Sequence, residues 1–194
     1  MRKPLMTAVS AGILVGVLVL AGCSAGESQD HQGHDSGSMA SSAGAMSDSP
    51  MDHPMDGGPA PAGIKAVSAP KFPIGSQVML TADHMAGMDG ARATIVGAFD
   101  TYTYSVNFTP TTGGQPVKDH KWVVQQEIKN AGDRRLADGT EVTLEADHMT
   151  GMKGAKATIA SSTDQTVYMV DYEADGMKMT NHKWVVESEI QPTS

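Results

Sequence analysis

The chain has 194 residues, with 14 basic against 22 acidic side chains, a formal net charge of −8 and one cysteine. An acidic balance argues against nucleic acid as a partner and against charge-driven adhesion to anionic lipid, and it favours cations. A lone cysteine excludes a disulfide framework.

Arg2 and Lys3 form a short positive head, and the apolar run from Leu5 to Leu20 is too short and too abruptly ended for a membrane span. It closes in Leu20-Ala21-Gly22-Cys23, which resembles the bacterial lipoprotein signal, in which cysteine is lipidated and becomes the first residue after cleavage. Residues 1–22 are therefore expected to be removed, which takes the formal charge to −10. Cys23 is expected to anchor the protein to the outer face of the cell membrane.

Residues 23–70 form a tether of Ser, Gly, Ala, Pro, Asp, His and Met, with almost no branched or aromatic side chains before Ile64. Such a segment buries too little apolar surface to offset its ordering entropy, so disorder is expected. Yet it carries His31, His34, Met51, His53 and Met55. Methionine has no packing role in a segment without a core, whereas thioether suits Cu(I) and imidazole suits Cu(II), zinc or nickel. Biased linker composition is the competing explanation.

A duplication follows. Ala82-Asp83-His84-Met85-Ala86-Gly87-Met88-Asp89-Gly90-Ala91 recurs as Ala146-Asp147-His148-Met149-Thr150-Gly151-Met152-Lys153-Gly154-Ala155, and His120-Lys121-Trp122-Val123-Val124 recurs as His182-Lys183-Trp184-Val185-Val186. Strands are expected at 78–82, 92–99, 103–108 and 121–125, the third being clearest because Tyr104, Val106 and Phe108 alternate with polar residues. Glycine clusters supply the turns. This order predicts an all-β chain: two tandem SH3-like small β-barrels, residues 71–130 and 131–194, with Phe72 and Leu136 sealing equivalent ends.

Within each repeat the loop sets histidine and methionine together. His84, Met85 and Met88, and likewise His148, Met149 and Met152, offer one imidazole and two thioethers to a soft cation, with Asp83 placed to orient the ring. The same residues also suit a purely structural role, methionine filling gaps and an Asp-His pair stapling the loop. His120 and His182 open the final strand, facing the loop or solvent, while Trp122 and Trp184 fill or cap a core. No nucleophile elbow, phosphate loop or HExxH helix is present, so no enzyme is expected and no nucleic acid is expected as a partner.

The linked blocks, ADHMxGMxGAxATI, a Tyr-x-Val-x-aromatic strand and HKWVVxxEI, are similar to the YdhK family of bacterial lipoproteins over about Phe72 to Gln191. That resemblance implies a surface lipoprotein with a link to copper or metal stress, and it supplies no catalytic residues. Two functions stand against each other: a copper-binding lipoprotein using the His/Met clusters, or an envelope module binding cell wall or protein. Fold alone does not choose between them.

Overall fold

A computed structural model of the chain describes residues 53–193, in which every regular element is a strand or a short 3-10 turn. Cys23, His31, His34 and Met51 lie outside the described residues. The all-β expectation holds. The first repeat contributes β1 (Lys65–Ala66), β2 (Gln77–Leu80), β3 (Arg92–Asp100), β4 (Thr103–Phe108) and β5 (Val117–Val124). The second contributes β6 (Glu141–Thr143), β7 (Lys156–Thr163), β8 (Val167–Ala174), β9 (Met177–Val186) and β10 (Ile190–Pro192).

β4 shows why these segments are strands. Tyr104, Val106 and Phe108 turn to one face and are buried, as period-two alternation requires. Thr103 and Ser105 on the other face are buried too, so this strand is covered on both sides, and Ser105 Oγ meets Ser161 Oγ at 2.7 Å to satisfy a hydroxyl there.

The strand pairing does not follow the repeat boundary at residues 130 and 131. One sheet has the order β10-β2-β3-β8-β9, with β1 added on β3, and the other has the order β5-β4-β7-β6. The β2-β3 half of the first repeat therefore joins the β8-β9 half of the second, through pairs such as Ile95 with Val170. The β4-β5 half joins β6-β7, through pairs such as Val106 with Ile159. Instead of two barrels side by side, each closed by its own repeat, the repeats exchange halves. Duplicated strands carry the same apolar pattern, so either copy offers the same complementary surface and the exchange leaves every strand with a matching partner.

The packing repeats this exchange. One core sets Phe72, Leu80, Met88 and Ile95 of the first repeat against Tyr168, Tyr172 and Ile190 of the second. Another sets Tyr104, Phe108 and Ile128 against Leu144, Met152 and Ile159. Equivalent tyrosines close both: Phe72 N–H donates to Tyr168 Oη at 3.5 Å and Leu136 N–H to Tyr104 Oη at 3.0 Å. Phe72 and Leu136 thus occupy matching places, as their sequence positions suggested. Trp122 and Trp184 do not fill separate cores; both belong to a third cluster with Val124, Val167, Met169 and Val186. That cluster lies where the repeats cross.

Candidate metal centre

The Asp-His-Met loops splay their side chains in two directions. Gly87 and Gly151 take φ values of 75° and 79°, a left-handed turn that a side chain would strain. The turn carries Met88 N–H back to Met85 O at 3.2 Å, and Met152 N–H to Met149 O at 3.1 Å. Their thioethers then drop inward: Met88 and Met152 are fully buried, Met149 nearly so, and all three pack in the two main cores. Of the loop methionines only Met85 lines the histidine cavity, and its Sδ accepts from Tyr172 Oη at 3.7 Å.

The loop histidines turn the other way. His84 Nε2 lies 2.8 Å from Glu189 Oε1, and His148 Nε2 lies 2.9 Å from Glu127 Oε1. The orienting carboxylate is therefore not the adjacent Asp83, whose side chain is exposed, but a glutamate in the 3-10 turn that closes the opposite repeat. Each glutamate collects further donors. Glu127 Oε2 accepts from Trp184 Nε1 at 2.9 Å and from Val124 N–H at 3.2 Å, and Glu189 Oε2 from Trp122 Nε1 at 2.9 Å and Val186 N–H at 3.0 Å. Burial alone would raise both carboxyls, but the imidazoles of His148 and His84, which attract the carboxylate by charge when protonated and donate to it in either state, outweigh burial together with the indole and backbone donors and hold both below the ordinary carboxylate value.

Ionised carboxylates only accept, so they fix the hydrogen of His84 and His148 on Nε2. In the neutral ring the lone pair is then on Nδ1. Those two Nδ1 atoms are buried without a hydrogen-bond partner, and so are Nε2 of His120 and Nε2 of His182. Among the described residues, four of the five such side-chain atoms are these histidine nitrogens, the other being Thr103 Oγ1. Burial, reinforced by the neighbouring histidines, lowers His120 and His182 to about 3, so both rings are neutral near pH 7.

All five described histidines line one cavity of about 30 Å³, joined by Met85, Lys121 and Lys183. His120 lies 6.2 Å from His148, centroid to centroid, and parallel to His53 at 6.4 Å. His53 Nδ1 is bonded to His148 O at 3.0 Å. Phe108 and Tyr172 set their edges against His120 and His182 at 5.8 and 5.3 Å, fixing both rings. A larger groove of about 720 Å³ runs along β6 and the inter-repeat connection, but no histidine lines it.

The donor set identifies what the cavity could hold. The cavity is small, and all four unpartnered imidazole nitrogens belong to rings that line it; each can offer a lone pair when its ring is neutral and carries its hydrogen on the other nitrogen. A soft or borderline cation is the class of ligand that would take several such lone pairs. No three His, Cys, Asp or Glu side chains among the described residues stand in the geometry of a formed metal site. An ion about 2.0–2.1 Å from two imidazoles at a tetrahedral angle sets their centroids roughly 5 Å apart, so the 6.2 Å pair needs a contraction of about 1 Å.

Sequence reasoning selected His53, His84, His120, His148 and His182, and the fold brings them together. It did not select Glu127 and Glu189. Their one signal was that Glu-Ile closes both repeats; nothing local shows that His84 reaches a carboxylate 105 residues away.

Residues 74–125 and 138–187 each match the family described as protein of unknown function, DUF1541. The chain is 48% identical over 176 residues to uncharacterized protein YdhK of Bacillus subtilis strain 168, covering 90% of this chain and 83% of that one. A crystal structure of YdhK from that organism aligns with a TM-score of 0.69 at 52% identity, over 70% of this chain and 94% of the other. A second YdhK crystal structure gives 0.60 at 57% identity, over 61% and 98%.

Proposed function

The chain belongs to the DUF1541 family, and from that premise we propose that it is a non-enzymatic, lipid-anchored protein of the outer membrane face that binds a copper ion in the histidine cavity. One observation carries the reading: four buried imidazole nitrogens without partners belong to rings that line one small cavity, and two of those rings are held by ionised glutamates on their other nitrogen. A metal-bound histidine is oriented in the same way, by a carboxylate on its second nitrogen. Imidazole serves copper, zinc and nickel, and Cu(II) binds such a set most tightly of the first-row divalent ions. The tether has the complementary composition, with Met39, Met46, Met51 and Met55 beside His31 and His34, and thioethers favour Cu(I). In this reading the tether, fixed at Cys23, captures copper near the membrane and the cavity retains it.

Competition titration of residues 24–194 and residues 53–194 against a copper chelator tests the reading. The shorter chain retains one equivalent and the longer chain more. Absence of uptake by the shorter chain at micromolar copper overturns the cavity assignment. Replacing Cys23 with Ala, followed by cell fractionation, tests the anchor: the variant appears in the medium if Cys23 carries the lipid.

A further inference from the structure

Where the tether ends, the chain crosses the cavity. His53, Pro54 and Gly57 form part of its wall. This stretch is clipped to the start of the last long strand: Thr180 N–H donates to Met55 O and Gly57 N–H to Thr180 O, each at 2.9 Å. Asp56 Oδ1 accepts from Asn181 Nδ2 and from Gly58 N–H, also at 2.9 Å. A Cβ on Gly57 would stand 2.2 Å from the carbonyl oxygen of Asn181, so only glycine lets the two backbones approach.

The duplicated architecture shows that the underlying edge does not need this cover. Asn181 and its counterpart Asp119 take the same left-handed conformation, φ 51° and 48°. Both are braced alike, Asn181 N–H by Asp171 Oδ1 at 2.7 Å and Asp119 N–H by Asn107 Oδ1 at 2.8 Å. Among the described residues no segment pairs with the Lys118–Asp119 edge, and a groove lined by Asp83, His84, Lys118 and His120 lies beside it. Among the described residues, one edge has no segment clipped to it, and its twin is strapped.

We propose that His53–Gly57 is a gate: seated, it closes the histidine cavity on the tether side, and unseated, it lets an ion enter or leave. This rests on the reading that the cavity binds copper. Pro54, Met55 and Asp56 are exposed, and the segment is held by a few hydrogen bonds, by the bond from His53 Nδ1 to His148 O and by the stack of His53 on His120, which is the kind of local attachment that opens without global unfolding. Its N-terminal end is also the tether, so an ion released there meets the cavity mouth. A gate changes both directions of exchange and leaves the equilibrium nearly alone, whereas a lost ligand or a damaged wall raises release and weakens affinity.

The test is stopped-flow exchange of Cu(II) with a chelator on residues 24–194, comparing wild type with Gly57→Ala and Asp56→Ala. Uptake and release should both accelerate, by about tenfold or more in Gly57→Ala, while in Asp56→Ala, which leaves the cavity wall intact, Kd changes by less than about threefold. Asp56→Ala removes only the side-chain clip and should show a smaller shift in the same sense, which guards against misfolding of Gly57→Ala. Unchanged rates in both variants overturn the gate, and so does faster release with unchanged uptake. A metal-free readout separates this failure from failure of the copper reading. Carbethoxylation of His120 and His182, followed by mass spectrometry, should be faster in both variants than in wild type; equal rates overturn the gate even if the protein binds no copper.

Discussion

Glu127→Gln exchanges one oxygen for an amide nitrogen behind the histidine cavity. Glu127 is 6% exposed and takes three donors, His148 Nε2, Trp184 Nε1 and Val124 N–H. The glutamine oxygen can keep Trp184 and Val124, because both converge on Oε2, leaving NH2 opposite His148. Donor then faces donor, and the ring resolves the conflict by moving its hydrogen to Nδ1, the nitrogen without a hydrogen-bond partner. The variant therefore loses a metal lone pair without losing a histidine. Replacing charge-assisted bonds with neutral ones should lower stability by about 1–3 kcal/mol, and the altered second nitrogen should weaken copper binding by about 10–100-fold. Long-range proton–nitrogen correlation spectra read the tautomer, chelator competition reads the affinity and urea unfolding reads the stability. Unchanged affinity after a demonstrated tautomer switch would refute the reasoning, as would retention of the hydrogen on Nε2.

Met88→Ala and Met152→Ala should each cost about 2–5 kcal/mol in urea unfolding, because both side chains are fully buried, yet leave copper affinity unchanged. Loss of copper affinity in a folded variant would return these thioethers to the ligand set. Stability should fall on acidification. His120 and His182 are lowered to about 3 in the fold against an ordinary 6.5, so between those values the unfolded chain binds more protons. The penalty is absent above about pH 6.5 and grows towards pH 3, with a slope approaching about 2.7 kcal/mol per pH unit for the pair, and His182→Gln should remove up to half of it. Urea midpoints from pH 7 to pH 4 measure this, and a flat profile contradicts it. A single repeat, residues 71–130, lacks β8 to pair with β3 and β7 to pair with β4. It should be unfolded as a monomer or associate in pairs, and a folded monomer by gel filtration and circular dichroism would contradict the exchanged topology.

Much of this architecture was legible because its signals are local. Tyr104, Val106 and Phe108 announce a half-buried strand by alternation alone, and the recurrence of Asp-His-Met marks two equivalent loops. The exchange of halves was not legible, because β3 and β4 are separated only by Thr101 and Tyr102, a connection that reads as a hairpin. Identical patterning in both repeats leaves nothing in the residues to distinguish pairing within a repeat from pairing between repeats. The site shows the same division. Imidazoles at His84 and His120 were identifiable as candidate ligands by type, but their convergence depends on the crossing, and so does the reach of His84 to Glu189. The methionines divided by geometry: the tight turns at Gly87 and Gly151 send Met88 and Met152 into the cores, while the rings turn to the seam.

The most direct test is electron paramagnetic resonance of Cu(II) added in one equivalent to residues 53–194, with pulsed detection of the coordinated nitrogens. A single copper species with imidazole nitrogen couplings is predicted, losing one coupled ring in each of the folded variants His84→Ala, His120→Ala, His148→Ala and His182→Ala. Copper that remains free, or a spectrum indifferent to His120→Ala and His182→Ala, would contradict binding in the cavity.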